Sequence, residues 1–482
     1  MIKKQSLSKN FMFQFLYQGL ILVIPLVISP YLTRTLQESA LGIYSYVNSI
    51  AYYFLIVAML GIMKHGQRII SQSINDYTKL RKVFWSLFSV HVVISLVVFV
   101  AYMFFSLIIV KSDRNIYIIE SLYVLSALFD VTWLFYGLEN FQSVVVKNTV
   151  VKITQCILIF TLIKNSSDLW IYTLIVAAGT LGGQLVMIPQ AIQIIKPIKF
   201  GKEDVKQHIK PLLVFSIAVI ASTMYTVFDK TLLGLLTNKD NVAFYEYSNK
   251  IINVPKMLAV VIGTVMYPRA CKMAASGNTK GQKKYMRYSF LFTSMISMAA
   301  IFGLISVAND FAVIYFGKSF AICGRVMMVM SPLVYIIGTG DVIRSQYMIP
   351  NKMDIQYNVC IILNAIVNLI ISLLLIPKLG IYGAIIGTTS AEIFGLMFQM
   401  ILCRKFIEFG DIVKSLIPFA IIGTVMTIII KIISNILTNT IRVLLVEVLI
   451  GGCVYIFGCL LYSVIFEKDI SNVILKKLRI IK

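Results

Sequence analysis

The chain has 482 residues, 59% of them apolar and only 13% charged, and its mean hydropathy is +0.86. That composition excludes an ordinary water-soluble domain and demands a bilayer. The net charge of +23 invites a nucleic-acid partner, but no soluble domain is available to carry a basic stripe, so no nucleic acid is expected.

The apolar runs are continuous rather than alternating, which selects helices over a barrel. Fourteen spans are predicted, at about 11–32, 41–62, 83–110, 116–138, 148–164, 169–195, 211–236, 245–267, 288–309, 325–348, 356–376, 381–402, 414–433 and 442–466. The first follows Lys3, Lys4 and Lys9 in the manner of a signal anchor. It has no small-residue cleavage site after it and is read as retained. With the N-terminus inside the cell, 29 of the 44 Lys and Arg residues fall on inner segments, nine on outer segments and six inside spans. This positive-inside bias predicts that both termini are cytoplasmic. The tail Lys476-Lys477-Leu-Arg479 should lie at the anionic inner surface.

Two stretches 201 residues apart share a pattern. Leu41-Gly-Ile-Tyr-Ser-Tyr-Val-Asn-Ser-Ile50 aligns with Val242-Ala-Phe-Tyr-Glu-Tyr-Ser-Asn-Lys-Ile251, placing Tyr44 on Tyr245, Tyr46 on Tyr247 and Asn48 on Asn249; Arg68 meets Arg269 in the same register. Spans one to three map onto seven to nine, and four to six onto ten to twelve with a drift of ~10 residues. Spans thirteen and fourteen have no counterpart. A six-span unit is even, so the copies are parallel, as in transporters whose site lies between two halves. The expected division is a bundle at 1–195, a basic cytoplasmic linker at 196–210, a second bundle at 211–402, and two added helices with a tail at 403–482.

The seven cysteines form no CxxC pair, and the three histidines (His65, His91, His208) lie far apart without HExxH. They predict small buried hydrophobes and no metal site. Gly317-Lys318-Ser319 lacks the upstream glycine of a phosphate loop. Loops are short, the longest expected at 268–287, and none could house an enzyme. Without an ATP site, uphill transport needs an ion gradient or the membrane potential.

Ionisable residues inside spans carry the functional signal, because each is costly in hydrocarbon. Lys152, Lys250, Arg344 and Lys431 lie near enough to boundaries to snorkel. Glu246 with Lys250, and Asp341 with Arg344, have spacings that allow helical pairing. Asp130 and Glu392 have no cation adjacent in sequence, so each must face protein or water or carry a proton. With Asp229 they are the candidates for ion coupling. Lys230, Lys250, Lys256 and Arg344, with the repeat pair Arg68 and Arg269, are the candidates for a cationic substrate site. The paired tyrosines are expected in the interfacial aromatic belt, and Asn48 and Asn249 in interhelical hydrogen bonds.

Four ordered stretches resemble a known family. They are Gly42-Ile-Tyr-Ser-Tyr-Val-Asn-Ser49 with Gly61 and Gly66-Gln-Arg68; Phe129-Asp-Val-Thr-Trp133-Leu-Phe-Tyr-Gly137-Leu-Glu139; Phe228-Asp-Lys230 with Tyr245 and Tyr247; and Asn368 with Ile376-Pro-Lys-Leu-Gly380-Ile-Tyr-Gly383-Ala384 and Glu392. In these the chain resembles the Wzx-type flippases, polysaccharide transporters of the multidrug/oligosaccharidyl-lipid/polysaccharide exporter superfamily. His65 departs from the pattern, where an aromatic precedes the glycine. The resemblance implies an all-α polytopic fold of two six-helix bundles in a MATE-like V, plus two C-terminal helices, in the bacterial cytoplasmic membrane. It implies a substrate, an undecaprenyl-diphosphate-linked oligosaccharide moved from the inner to the outer leaflet, for which the intramembrane cations would bind the diphosphate. No cofactor is implied; the coupling ion would be H+ or Na+. Membrane lipids, a polysaccharide polymerase and chain-length machinery are the implied partners of a monomeric transporter. Spans thirteen and fourteen would form or cover a lateral opening for the lipid tail. The alternatives are an antiporter of drug or metabolite cations, a membrane polymerase or glycosyltransferase, and a passive scramblase.

Overall fold

The computed structural model describes residues 7–436 and 440–466. Lys3, Lys4 and the basic tail at Lys476, Lys477 and Arg479 lie outside the described residues. The described chain is helical and contains no strand. Thirteen of its helical stretches are long and apolar enough to cross a membrane. The seventh predicted span, 211–236, falls within one further long helix.

The chain divides into two compact units, Met1–Ala243 and Phe244–Lys482. The first holds α1 (Leu7–Thr35), α2 (Gln37–Met59), α3 (Ile62–Ser73), α4 (Tyr77–Phe104), α5 (Arg114–Ser126), α6 (Thr132–Gly137), α7 (Phe141–Leu162), α8 (Leu169–Ile194) and α9 (Lys202–Leu236). The span predicted at 41–62 is broken where Leu60 and Gly61 adopt left-handed conformations, φ +35° and +69°. Glycine is needed at the second of these, because a Cβ on Gly61 would also lie 2.8 Å from the backbone of Ser216 on α9. The span at 116–138 is broken too. A 3-10 turn at Ala127–Phe129 ends in extended backbone at Asp130, and α6 begins two residues later.

Two of the sequence motifs meet inside this unit. Trp133 is fully buried and stacks on Phe84, and Gly66 lets its indole lie against α3, since a Cβ there would fall 2.6 Å from the ring. Gly137 does the same for Ile70, and its carbonyl accepts from the Ser71 hydroxyl at 2.8 Å. Small residues at such crossings let helices approach closely where apolar burial against lipid offers little driving force.

The second unit holds most of α10 (Lys239–Ala275), then α11 (Thr279–Phe316), α12 (Ile322–Met330), α13 (Leu333–Ile343), α14 (Asp354–Leu379), α15 (Ile381–Leu402), α16 (Phe409–Ile436) and α17 (Ile441–Phe466). The Ile376–Ala384 motif is a helical hairpin. Gly380 turns the chain at φ +57°, and Gly383, Gly387 and Gly395 put the α15 backbone against Leu375, Ser372 and Asn364 of α14. The last two helices pack along α11: Tyr455 donates to the Met295 carbonyl at 2.8 Å, Ser306 to Thr427 at 3.0 Å, and Gly423 lies against Phe302.

Three expectations are corrected. The loop at 268–287 is mostly helix, since α10 ends at Ala275 and α11 starts at Thr279; charged residues can extend a helix past the membrane boundary as readily as they can end it. The stretch 62–73, assigned largely to an inner loop, is helix α3. The paired tyrosines do not form an aromatic belt. Tyr46, Tyr245 and Tyr247 are buried, Tyr247 edge-on to Phe316 and Phe320, and Tyr44 meets Tyr172 edge-on at 4.6 Å. Their rings serve as core here because neighbouring helices cover them.

Candidate functional site

Within the first unit the polar groups gather at the two helix breaks. Asp130 accepts at Oδ1 from the Thr132 backbone N–H at 2.8 Å and from the Thr132 hydroxyl, an Asx turn that leads into α6. Its Oδ2 accepts from Gln184 Nε2 on α8 at 3.0 Å, and Gln184 Oε1 in turn accepts from Lys147 Nζ on α7 at 3.1 Å. The main-chain carbonyl of Asp130 takes the Trp133 indole N–H at 3.0 Å. An ion-coupling candidate thus sits at the break of a discontinuous helix, the kind of element that lines transport sites in membrane proteins.

On α2, Asn48 donates through Nδ2 to Glu120 Oε1 of α5 at 3.2 Å, the interhelical bond expected of it. Glu120 is 1% exposed, and its Oε2 has no hydrogen-bond partner among the described residues. Asp229 is buried on α9 within electrostatic reach of Tyr53, and Lys230 beside it is half-buried. Next to them the hydroxyls of Ser49 and Thr231 are 3.1 Å apart, and Thr231 donates to Tyr53 at 3.2 Å.

Toward the α9 N-terminus, His65 Nε2 and His208 Nδ1 are 3.2 Å apart, and the Ser86 hydroxyl is 3.0 Å from His208 Nε2. Both rings are buried. His208 precedes the span 211–236, and burial, with His65 contributing second, holds it down to about 4. Arg68 is exposed and lies over Phe215 at 5.1 Å.

In the second unit Asn249 accepts at Oδ1 from Lys256 Nζ at 3.2 Å, a bond within α10 rather than between helices. Glu392 on α15 is within electrostatic reach of the same ammonium. Lys250 sits over the Tyr247 ring at 4.0 Å. Asp341 and Arg344 form the expected pair at 3.8 Å, against Gly263 of α10, where a Cβ would lie 2.0 Å from Asp341 Oδ2. Arg269 is exposed over Tyr285 at 4.7 Å, the counterpart of Arg68 over Phe215.

The structure therefore brings together Lys256, Asn249 and Glu392, and separately Asp341 and Arg344. Lys230 and Asp229 belong to the first unit with Asp130. Among the described residues no group of three His, Cys, Asp or Glu could hold a metal.

Sequence reasoning missed Glu120, Lys147 and the histidine pair. Glu120 stands near a span boundary and Lys147 on a segment that reads as an inner loop, while the histidines are 143 positions apart. A signal for one further relation was present. With the drift of ~10 residues added to the 201 offset, Asp130-Val131 falls on Asp341-Val342, Tyr136 on Tyr347 and Asn140 on Asn351.

Residues 7–274 match the family described as polysaccharide biosynthesis protein. A putative O-antigen transporter of Shigella dysenteriae is 24% identical over 399 residues, covering 82% of this chain and 99% of the relative. The solved structure of the lipid II flippase MurJ in an inward closed conformation superposes with a TM-score of 0.76 at 16% identity, covering 95% of this chain and all of the other. An inward-facing multidrug resistance transporter of the MATE family matches with a TM-score of 0.55 at 12% identity, over 84% of this chain and 97% of the other. The fold is thus MATE-like, and with more than half its length inside the family match, the chain belongs to the polysaccharide biosynthesis protein family as a membrane transporter of the Wzx type.

Proposed function

We propose that this protein moves an undecaprenyl-diphosphate-linked oligosaccharide from the inner to the outer leaflet of the bacterial cytoplasmic membrane by alternating access. The observation that carries the reading is family membership in a chain whose fold is that of a lipid-linked precursor flippase. The membrane-buried cations add to it. A diphosphate entering hydrocarbon needs charged donors, and Lys230, Lys250, Lys256 and Arg344 lie within predicted spans. A transporter of organic cations would favour acids instead.

Transport is coupled to H+ or Na+ through Asp130, Asp229 and Glu392, each of which can change charge or hold a cation as the fold alternates. Both termini face the cytoplasm, following the distribution of Lys and Arg. The protein works as a monomer beside a polymerase and chain-length machinery. The test is restoration of surface polysaccharide in a strain lacking its own flippase. It is paired with flipping of a fluorescent lipid-linked oligosaccharide in proteoliposomes under an imposed H+ or Na+ gradient. Failure of both, with protein correctly inserted, overturns the reading; export without gradient dependence overturns the coupling.

A further inference from the structure

The cleft between α7 and α8 in the first unit has a volume of about 960 Å³. That is at the upper end of the range for small-molecule sites. Its walls are mostly apolar, with Val150, Leu158 and Leu174 among them; Thr154 and Gln155 lie along α7, and the one charged lining residue, Lys147, comes from the first two turns of that helix. The cleft is thus long, greasy and charged at one end.

Lys147 is held there by a neutral partner. Its ammonium donates to the Gln184 side-chain oxygen at 3.1 Å, and the nearest carboxylate in that chain, Asp130, is reached only through the other end of the Gln184 amide. One of three N–H groups is used by the amide and the positive charge is positioned without a direct counter-charge. Asp130 is already engaged by Thr132. Gln155 crosses from α7 to the carbonyls of Ile175 and Val176 on α8, at 3.4 and 3.0 Å, through the gap left by Gly179. It ties the walls together. Gly182, by contrast, opens on space, with nothing within 4 Å of a Cβ built on it.

We propose that this cleft receives the phosphate end of a lipid-linked substrate, with Lys147 as the charged contact and the apolar walls taking the first part of the isoprenoid chain. A single fixed cation at the end of an apolar trough is complementary to an amphiphile with one anionic end. The proposal rests on the transport reading for the identity of that amphiphile. On the orientation given above, α7 begins at the cytoplasmic side, so Lys147 stands where a substrate would load.

The experiment measures binding of a long-chain isoprenyl diphosphate, and of the matching neutral isoprenol, to the purified full-length protein in nanodiscs. Lys147→Gln should weaken diphosphate binding about ten-fold or more, the loss of a charge-assisted hydrogen bond, and leave isoprenol binding unchanged. Lys147→Arg should restore diphosphate binding, and Gly182→Leu, which fills the cleft, should weaken both ligands. Lys147→Gln binding the diphosphate as tightly as wild type overturns the proposal. So does displacement of the diphosphate by phosphatidylglycerol at equal concentration, because the cleft would then be a general anionic-lipid site. Displacement by inorganic diphosphate alone would likewise remove the role of the apolar walls. A wild type that exports polysaccharide while Lys147→Gln binds normally sinks this site and leaves the transport reading intact. Lys147-dependent binding in a protein that never flips the oligosaccharide does the reverse.

Discussion

Asn48 and Asn249 occupy one position in two copies of a sequence pattern, yet they hold opposite partners: Asn48 donates to the buried acid Glu120, and Asn249 accepts from the ammonium of Lys256. An amide can do either, because it carries both donors and an acceptor. The surroundings differ in the same sense. The first copy is broken at Gly61, whereas α10 runs without a break from Lys239 to Ala275. Asp130 sits in the break between two helices, whereas its repeat partner Asp341 stays helical and pairs with Arg344. Three positions after each aspartate, Trp133 reaches back to a carbonyl and Arg344 to a carboxylate. Duplication has kept the frame and let the chemistry diverge, toward acids beside helix breaks in one unit and toward cations in the other.

The strongest way to break this comparison is at Gly42 and Ala243, which share a repeat position. A Cβ on Gly42 would lie 1.9 Å from the Lys239 carbonyl oxygen, while Ala243 already carries one without exposure. Gly42→Val should therefore destabilise by about 1–3 kcal/mol or more through overpacking. Ala243→Gly should cost only about 0.5–1 kcal/mol. Thermal unfolding in detergent measures both; equal midpoints would show that the close approach is not specific to the first copy.

Next comes the amide. Asn48→Leu strands Glu120 in a buried site and should cost about 1–3 kcal/mol, partly recovered in the double variant with Glu120→Leu. Asn249→Leu should leave stability closer to wild type and lower transport instead. If the two variants behave alike, the divergence has no functional weight.

Among the cations, Lys256→Met and Lys230→Ala should each reduce polysaccharide export about ten-fold, the scale of one charged contact. Lys431→Ala should change it little, since Lys431 is exposed and can reach an interface. Equal export by all three would remove the cationic site.

A smaller effect belongs to the histidine pair. The folded pKa of His208 is depressed to about 4, below the unfolded value near 6.5. The unfolded chain therefore binds the extra proton first, and stability is lost as pH falls from about 6.5 toward 4. His208→Gln should flatten thermal stability over that window; an unchanged pH profile would place the acid sensitivity elsewhere. Asp130→Asn keeps the oxygen that accepts from Thr132 but sets an amide donor against Gln184 Nε2, and should lower stability by about 1 kcal/mol. It should also make flipping insensitive to the ion gradient, and retained gradient dependence would take Asp130 out of the coupling.

Much of the frame was legible because the bilayer imposes it. Apolar runs long enough to span, charge asymmetry between loops and a fixed repeat offset are one-dimensional signals, and Asp341 with Arg344 was readable from helical spacing alone. The glycines Gly66 and Gly137 could be quoted as motif residues, but not why they are glycines. That answer lies in Trp133 and Ile70, which sit on other segments. Likewise Lys147 looked like one more inner lysine until α8 placed Gln184 beside it.

By itself the sequence determined a polytopic helical membrane protein with a duplicated frame, because hydrophobic length, period and charge bias are properties of the chain in a bilayer. Only the tertiary structure decided which partner each polar residue takes. Asn48 with Glu120, His65 with His208, and Asp130 with Gln184 and Lys147 are separated by 72, 143 and 54 positions, with Lys147 a further 37 from Gln184. A buried polar group is stabilised by whatever donor or acceptor the packing of helices brings within about 3 Å, and nothing local in the chain specifies that neighbour.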